Sequence, residues 1–285
     1  MAYTQLNPRH TQNARVEEIS RDSVHYRLSI LSGFSDSYRL AQLDDYAQFS
    51  RRRFPLHLPL SLSLSARASS DSISGTWGFG LWNDPFGLSL GFGGSPFHLP
   101  ALPNAVWFFG ASKENYLSFR DASSTSGITN APPSAQRELV ANGFLAQTFR
   151  SPKFHPLLIL AGMALPFSRK VTRRLLSRVI EEDGIQLGNV QQHSLSGTRA
   201  VGVQSQSVDP TQWHLYRLDC SLKRVSFDVD EVQVFDSPVS PNPPLGLVIW
   251  IDNQYAAFTP EGKIGFGVLE NAEPAWLEVK EIELK

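Results

Sequence analysis

Through most of the chain, apolar residues recur at every second position between short breaks of Gly, Pro, Ser and Asn. That period sends alternate side chains to opposite faces of an extended backbone, so it predicts half-buried β-strands. The pattern is clearest in LHLPLSLSLSARAS: Leu56, Leu58, Leu60, Leu62, Leu64 and Ala66 share one face, and mostly polar residues share the other. Further strands are predicted in VHYRLSIL, GTWGFGLW, LSLGFGG, NAVWFFGAS, NYLSFRD, GFLAQTFRS, TRAVGVQSQS, WHLYRLD, RVSFDV, EVQVFDS, LGLVIWIDNQ, KIGFGVL and AWLEVKEIEL. So many strands with short breaks imply two packed antiparallel sheets, in a single β-sandwich domain over residues 1–285. TSGITNAPPSAQ and DSPVSPNPPLG read as loops of that domain, not as linkers.

The alternation stops between Phe154 and Asp183. There RKVTRRLLSRVIEED puts Val171, Leu175, Val179 and Ile180 at helical spacing, with Arg169, Arg173, Arg174 and Arg178 mostly elsewhere. The expectation is a helical insertion over 154–183. Its apolar stripe either docks on the outside of the sandwich or lies on an anionic membrane surface, in which case the segment is a membrane- or partner-docking module. The apolar run PLLILAGMALPF (156–167) is too short for a transmembrane segment, which needs about 20 residues.

As one continuous strand, SFDVDEVQVF (226–235) would send Val229 and Val232 to opposite faces. A two-residue turn at Asp230 and Glu231 removes the conflict. Val229 then faces Val232, Phe227 faces Val234 and Asp228 pairs with Gln233, so that Val225, Phe227, Val229, Val232 and Val234 form one apolar side. Such turns need positive φ and favour glycine, so Glu231 makes a longer or bulged turn the alternative.

WHLYRLDCSLKRVSFDVDEVQVFDSP, followed by PLGLVIWIDNQ, resembles the late meander of concanavalin-like jelly rolls, among them laminarinase-type β-glucanases and laminin-G-like modules. In these a tryptophan-led strand precedes a V-D-G hairpin and a long sheet strand. GTWGFGLWNDPFG is similar to their early G-x-W strands, and the likeness runs over residues 75–285. The resemblance implies a mainly β, two-sheet antiparallel jelly-roll sandwich, here with the helical insertion. It does not carry glucanase activity. The glucanases place nucleophile and acid/base on an E-x-D-x-x-E strand. Here Asp228-x-Asp230-x-x-Gln233 falls in the late hairpin, and the strand in the corresponding place, NAVWFFGAS, has no carboxylate.

Composition narrows the chemistry. With 26 basic and 27 acidic residues the net charge is −1, which supplies no field to gather nucleic acid. Cys220 is the only cysteine, excluding an internal disulfide and a cysteine-based zinc cluster. The seven histidines show no metal-binding spacing, and no phosphate loop, dinucleotide fingerprint or G-x-S-x-G elbow occurs, so neither metal nor cofactor is expected. The first residues lack the charged-then-apolar pattern of a secretory signal; with the cysteine usage this predicts a cytoplasmic protein, unless a leader has been removed. Nothing in the pattern sets an oligomeric state.

The aromatic residues point to a ligand. In LGLVIWIDNQ, Leu247, Ile249 and Ile251 form one face, and Val248, Trp250, Asp252 and Gln254 the other. A tryptophan beside a carboxylate and an amide suits sugar stacking, or a partly apolar ligand held by a few polar groups. Trp82, Asp84 and Trp107 are expected to border this face. The leading reading is a ligand-binding protein with a lectin-like concave face, taking a glycan or a small metabolite without hydrolysing it. The alternative is an enzyme in which Asp252, Asp84 or His98 acts as general acid or base in isomerisation, cyclisation or hydrolysis. Against both stands ordinary packing: the insertion covers the face, or Trp250 is simply part of a core.

Overall fold

A computed structural model of the chain describes residues 6–20, 24–85, 101–116, 118, 142–152, 176–188, 207–258 and 264–285. In chain order the strands are β1 (Asn7–His10), β2 (Ala14–Ser20), β3 (His25–Ile30), β4 (Leu40–Asp44), β5 (Leu60–Ala68), β6 (Thr76–Trp82), β7 (Ala105–Ala111) and β8 (Gly143–Arg150). They continue as β9 (Glu181–Gln186), β10 (His214–Cys220), β11 (Val225–Val229), β12 (Val232–Ser237), β13 (Gly246–Asp252), β14 (Gln254–Phe258), β15 (Ile264–Val268) and β16 (Ala275–Leu284). One sheet has the order β1-β4-β13-β6-β7-β8-β9, the other β12-β11-β10-β5-β16-β3-β2, and β14 and β15 form a separate ribbon. Pairing within both sheets is antiparallel, and early and late strands interleave: late β13 lies between β4 and β6, and early β5 between β10 and β16. The result is the two-sheet antiparallel sandwich that the alternation predicts, consistent with the jelly roll that the resemblance implies.

The inward faces meet in one core. Leu62, Leu64, Tyr216, Leu218, Phe227, Leu277 and Val279 of the second sheet pack against Leu43, Phe79, Leu81, Phe108, Leu247, Ile249 and Ile251 of the first. β5 begins at Leu60 and not at Leu56, yet Leu56 and Leu58 still pack on this core. Among the described residues no helix is long and apolar enough to cross a membrane.

The predicted hairpin forms, with one difference. Asp230 and Glu231 take φ of 50° and 66°, Val229 pairs with Val232, and Asp228 pairs with Gln233. A bulge between Phe227 and Asp228 then shifts the register, so Phe227 pairs with Phe235 and not with Val234. Phe235 is buried, whereas Val232, on an edge strand near the tip, is 47% exposed. The tip is fastened from outside, because the Leu215 N–H donates to Asp230 Oδ1 (2.9 Å) and His214 Nδ1 lies 2.6 Å from Asp230 Oδ2.

The helical insertion over 154–183 is not seen among the described residues. Residues 153–175 lie outside them. Of the remainder, the Ile180 N–H reaches the Leu176 carbonyl (2.9 Å) in a single turn, and Glu181–Gln186 is β9, the edge strand beside β8. The acidic EED run suits a strand here because each carboxylate has a partner: one on the neighbouring strand, one on the segment after β7 and one on the opposite sheet. Glu181 pairs with Arg150, Glu182 accepts from Ser118, and Asp183 Oδ2 accepts from Ser237 Oγ (2.8 Å). The strands predicted in LSLGFGG, in most of NYLSFRD and in TRAVGVQSQS also lie outside the described residues.

Candidate functional site

The outward face of the first sheet is where most of the candidate residues meet. β13 turns Ile249 and Ile251 to the core and Val248, Trp250 and Asp252 away from it. Cross-strand register then sets the neighbours. One row runs Gln42, Trp250, Gly78, Phe109 and Leu145; the next runs Asp44, Val248, Gly80, Trp107 and Gln147; a third holds Trp82, Ala105, Phe149 and Glu182. The two glycines make room for the rings lying over the sheet. A Cβ on Gly78 would sit 2.9 Å from Trp250 Cη2, and one on Gly80 would sit 2.7 Å from Trp107 Cβ.

Trp82 and Trp250 stack with centroids 5.9 Å apart and planes at 7°, and Trp107 stands against them at 6.2 and 5.8 Å. Phe109 lies 5.8 Å from Trp250. This cluster is closed: Trp82, Trp107 and Trp250 are 9, 1 and 6% exposed. Tyr46 and Phe54, from the connection between β4 and β5, and Leu176 and Ile180, ahead of β9, pack in the same cluster. The end of the segment expected to cover this face does so.

Asp252 forms the polar end of the cluster. Its Oδ1 accepts from Thr76 Oγ1 (2.7 Å) and from the N–H groups of Thr76 and Gln254 (3.2 Å each), and its Oδ2 accepts from the Tyr38 hydroxyl (3.1 Å). The Trp250 indole N–H donates to Thr76 Oγ1 (2.9 Å), so a single hydroxyl ties the ring to the acid. Burial pushes the Asp252 carboxyl up to about 6, and the bonds from Thr76, Gln254 and Tyr38 oppose that rise. The Tyr38 phenol is raised well above its ordinary value, first by burial and then by the Asp252 charge.

Trp250, Asp252, Trp82 and Trp107 thus share one face, whereas the other candidates stand apart. The chain bends at Asn253, whose side chain is tied to Arg39 N, Ser37 O and Leu269 O, and Gln254 opens the ribbon strand β14 instead of continuing the face. Asp84 lies beyond the end of β6. Thr76, level with Asp252, and Trp82 are six residues apart, roughly 20 Å at the rise of an extended strand, so Asp84 and Asp252 cannot act on one reacting atom. Asp84 has a φ of 48°, and its carbonyl accepts from Arg51 Nε (3.0 Å). His98 lies outside the described residues.

The structure adds groups that sequence reasoning missed. Gln42 Nε2 donates to Asp44 Oδ2 (2.8 Å) and to the Tyr46 hydroxyl (3.3 Å), Trp107 Nε1 donates to Gln147 Oε1 (3.4 Å), and Glu182 occupies the far row. Burial raises the Asp44 carboxyl, and burial together with the charges of Asp84 and Asp44 raises the Tyr46 phenol. Beside them Asp45 accepts from the Leu247 N–H (2.8 Å) through Oδ1, while its buried Oδ2 has no hydrogen-bond partner among the described residues. Burial pushes Asp45 up to about 7. Among the described residues no group of three or more His, Cys, Asp or Glu is placed to hold a metal.

No family model and no curated protein sequence matches the chain. Solved structures similar to it include a sialidase (7% identity, TM-score 0.39, covering 98% of this chain and 17% of that one). Also similar is the binding domain of botulinum neurotoxin DC in complex with SialylT (5% identity, TM-score 0.39, 99% and 42%). A third is a glycoside hydrolase family 16 endo-glucanase from Bacteroides ovatus in complex with G4G3G-2F-DNP (9% identity, TM-score 0.44, 99% and 96%). The chain spans less than half the length of the sialidase and neurotoxin chains.

Proposed function

We propose that the protein binds a small, partly apolar ligand against the Trp82, Trp107 and Trp250 face, with Asp252 and Tyr38 fixing its polar end. The observation that carries this reading is the connection from the Trp250 indole through Thr76 to Asp252, which holds stacking area and a recognising acid in one fixed geometry. Enclosure of the rings favours a compact ligand, or the terminal unit of a glycan, over an extended polysaccharide lying in an open groove. A carboxyl near 6 is protonated in part close to neutrality, so Asp252 can both donate to and accept from a hydroxyl.

A second reading, acid/base catalysis on the same ligand, draws on that same elevated carboxyl. Paired-carboxylate glycoside hydrolysis is not part of it. Asp84 and Asp252 are roughly 20 Å apart along the sheet, beyond the ~5–10 Å that a glycosidase pair spans, and β7 bears no carboxylate. The test is native mass spectrometry of the protein recovered from its natural host. The parent is expected to carry a small-molecule adduct that the conservative variants Tyr38→Phe and Asp252→Asn lose while remaining folded. An adduct retained in both variants, or none in the parent, removes the reading.

A further inference from the structure

The outward face of the second sheet carries a separate depression. Across β5, β10, β11 and β12 the register aligns Ser61, Asp219, Ser226 and Asp236 in one row, and Ser63, Arg217, Asp228 and Gln233 in the next. The serines are short, and the surface sinks there into a hollow of about 600 Å³ lined by Ser61, Asp219, Arg224, Ser226, Gln233 and Asp236, among others. The hollow is shallow and open to solvent, so a molecule seated in it stays partly exposed.

The charges around this hollow are already matched. Arg217 Nε lies 2.8 Å from Asp219 Oδ2, Arg224 pairs with Asp236, and Lys285 Nζ lies 2.6 Å from Glu283 Oε2. The hydroxyls of Ser61 and Ser226 and the side-chain amide of Gln233 carry no intramolecular hydrogen bond among the described residues. A lining with little net field but with interleaved donors and acceptors is matched by a molecule whose groups each donate and accept, that is, by hydroxyls. A carboxylated or aminated ligand would need one of the ion pairs to open.

We propose that this hollow is a second ligand site, distinct from the aromatic face, for a neutral polyhydroxylated molecule the size of one hexose. None of the residues lining it is aromatic and Pro59 and Leu60 supply its apolar part, so no ring stacks on the ligand and the affinity is weak.

The experiment is a ¹H–¹⁵N NMR titration of the intact chain with D-glucose, and in parallel with D-glucuronate and D-glucosamine. Glucose should give saturable shifts centred on Ser61, Ser226 and Gln233, unchanged in Asp252→Asn, so that failure at the aromatic face leaves this result standing. Ser226→Ala combined with Gln233→Leu should weaken glucose binding about tenfold by removing two hydrogen-bonding groups. Gln233 is exposed, so Gln233→Leu alone serves if the double variant does not fold. Shifts that are absent, linear to the highest concentration or centred elsewhere overturn the proposal. So does glucuronate or glucosamine binding about tenfold tighter than glucose, since that would show that an ion pair opens to take a charge.

Discussion

The two sheets turn similar apolar faces toward each other and opposite faces away. Outside the first lie Trp82, Trp107, Phe109 and Trp250, in a second core. Outside the second lie serines, ion pairs and a half-buried ladder in which Arg67 sits 4.9 Å from the Trp213 ring and 5.3 Å from Trp276, Arg27 sits over Trp276, and Lys280 sits over Trp213. The difference is written into the strands. β7 and β13 are buried along all seven residues, whereas β10 alternates between buried and open positions. A strand covered on both sides has no reason to alternate, so a continuous apolar run marks the covered sheet.

The largest effect should come from Trp107→Ala. If the outer aromatic face is a core, this change costs about 3–5 kcal/mol, as much as Phe227→Ala in the inner core, in urea unfolding. A cost near zero would make the face a vacant binding surface instead and break the comparison.

The next effect depends on pH. Asp45 and Asp252 rise from 3.8 to about 7 and about 6 in the folded chain. Between about pH 4 and those values the native state holds protons that the unfolded chain has released, so their contribution to stability falls as pH rises and levels off above about pH 7. Asp45→Asn should remove most of this slope and stabilise the protein at pH 8 by about 2–4 kcal/mol relative to the parent. Parallel pH profiles for parent and variant would mean that Asp45 is solvated.

A smaller loss, about 1–3 kcal/mol, is expected for Gly80→Ala, whose Cβ would come 2.2 Å from the Val106 carbonyl oxygen. On the opposite face, Arg217→Ala should change stability by less than about 0.5 kcal/mol, since its pair with Asp219 is largely exposed. A cost there matching Gly80→Ala would erase the contrast between the two faces.

How much the sequence discloses follows the same division. Leu62, Leu64 and Ala66 could be placed from alternation alone, and so could the sharing of one face by Trp250 and Asp252. β4 was not predicted, because LAQLD is buried at every position and its Gln42 and Asp44 hide among apolar neighbours through side-chain bonds. The acidic run of β9 reads as the solvated face of a helix until Arg150, Ser118 and Ser237 are in place. Gln254 was carried one step too far along the strand, since the bend at Asn253 is held by partners distant in sequence. The bulge after Phe227 is likewise a property of the pairing and leaves no mark in either strand alone.

The central claim is that the covered aromatic face is a ligand site and not only a second core. The most direct test is a crystal structure of the protein purified from its natural host. The account predicts difference density for a compact molecule stacked on Trp250 and within hydrogen-bonding distance of Asp252 or Tyr38. Protein from the natural host in which the cover of Tyr46, Phe54 and Ile180 has not moved from its closed packing, and no ligand density touches Trp250, Asp252 or Tyr38, would contradict it and leave the face as packing alone.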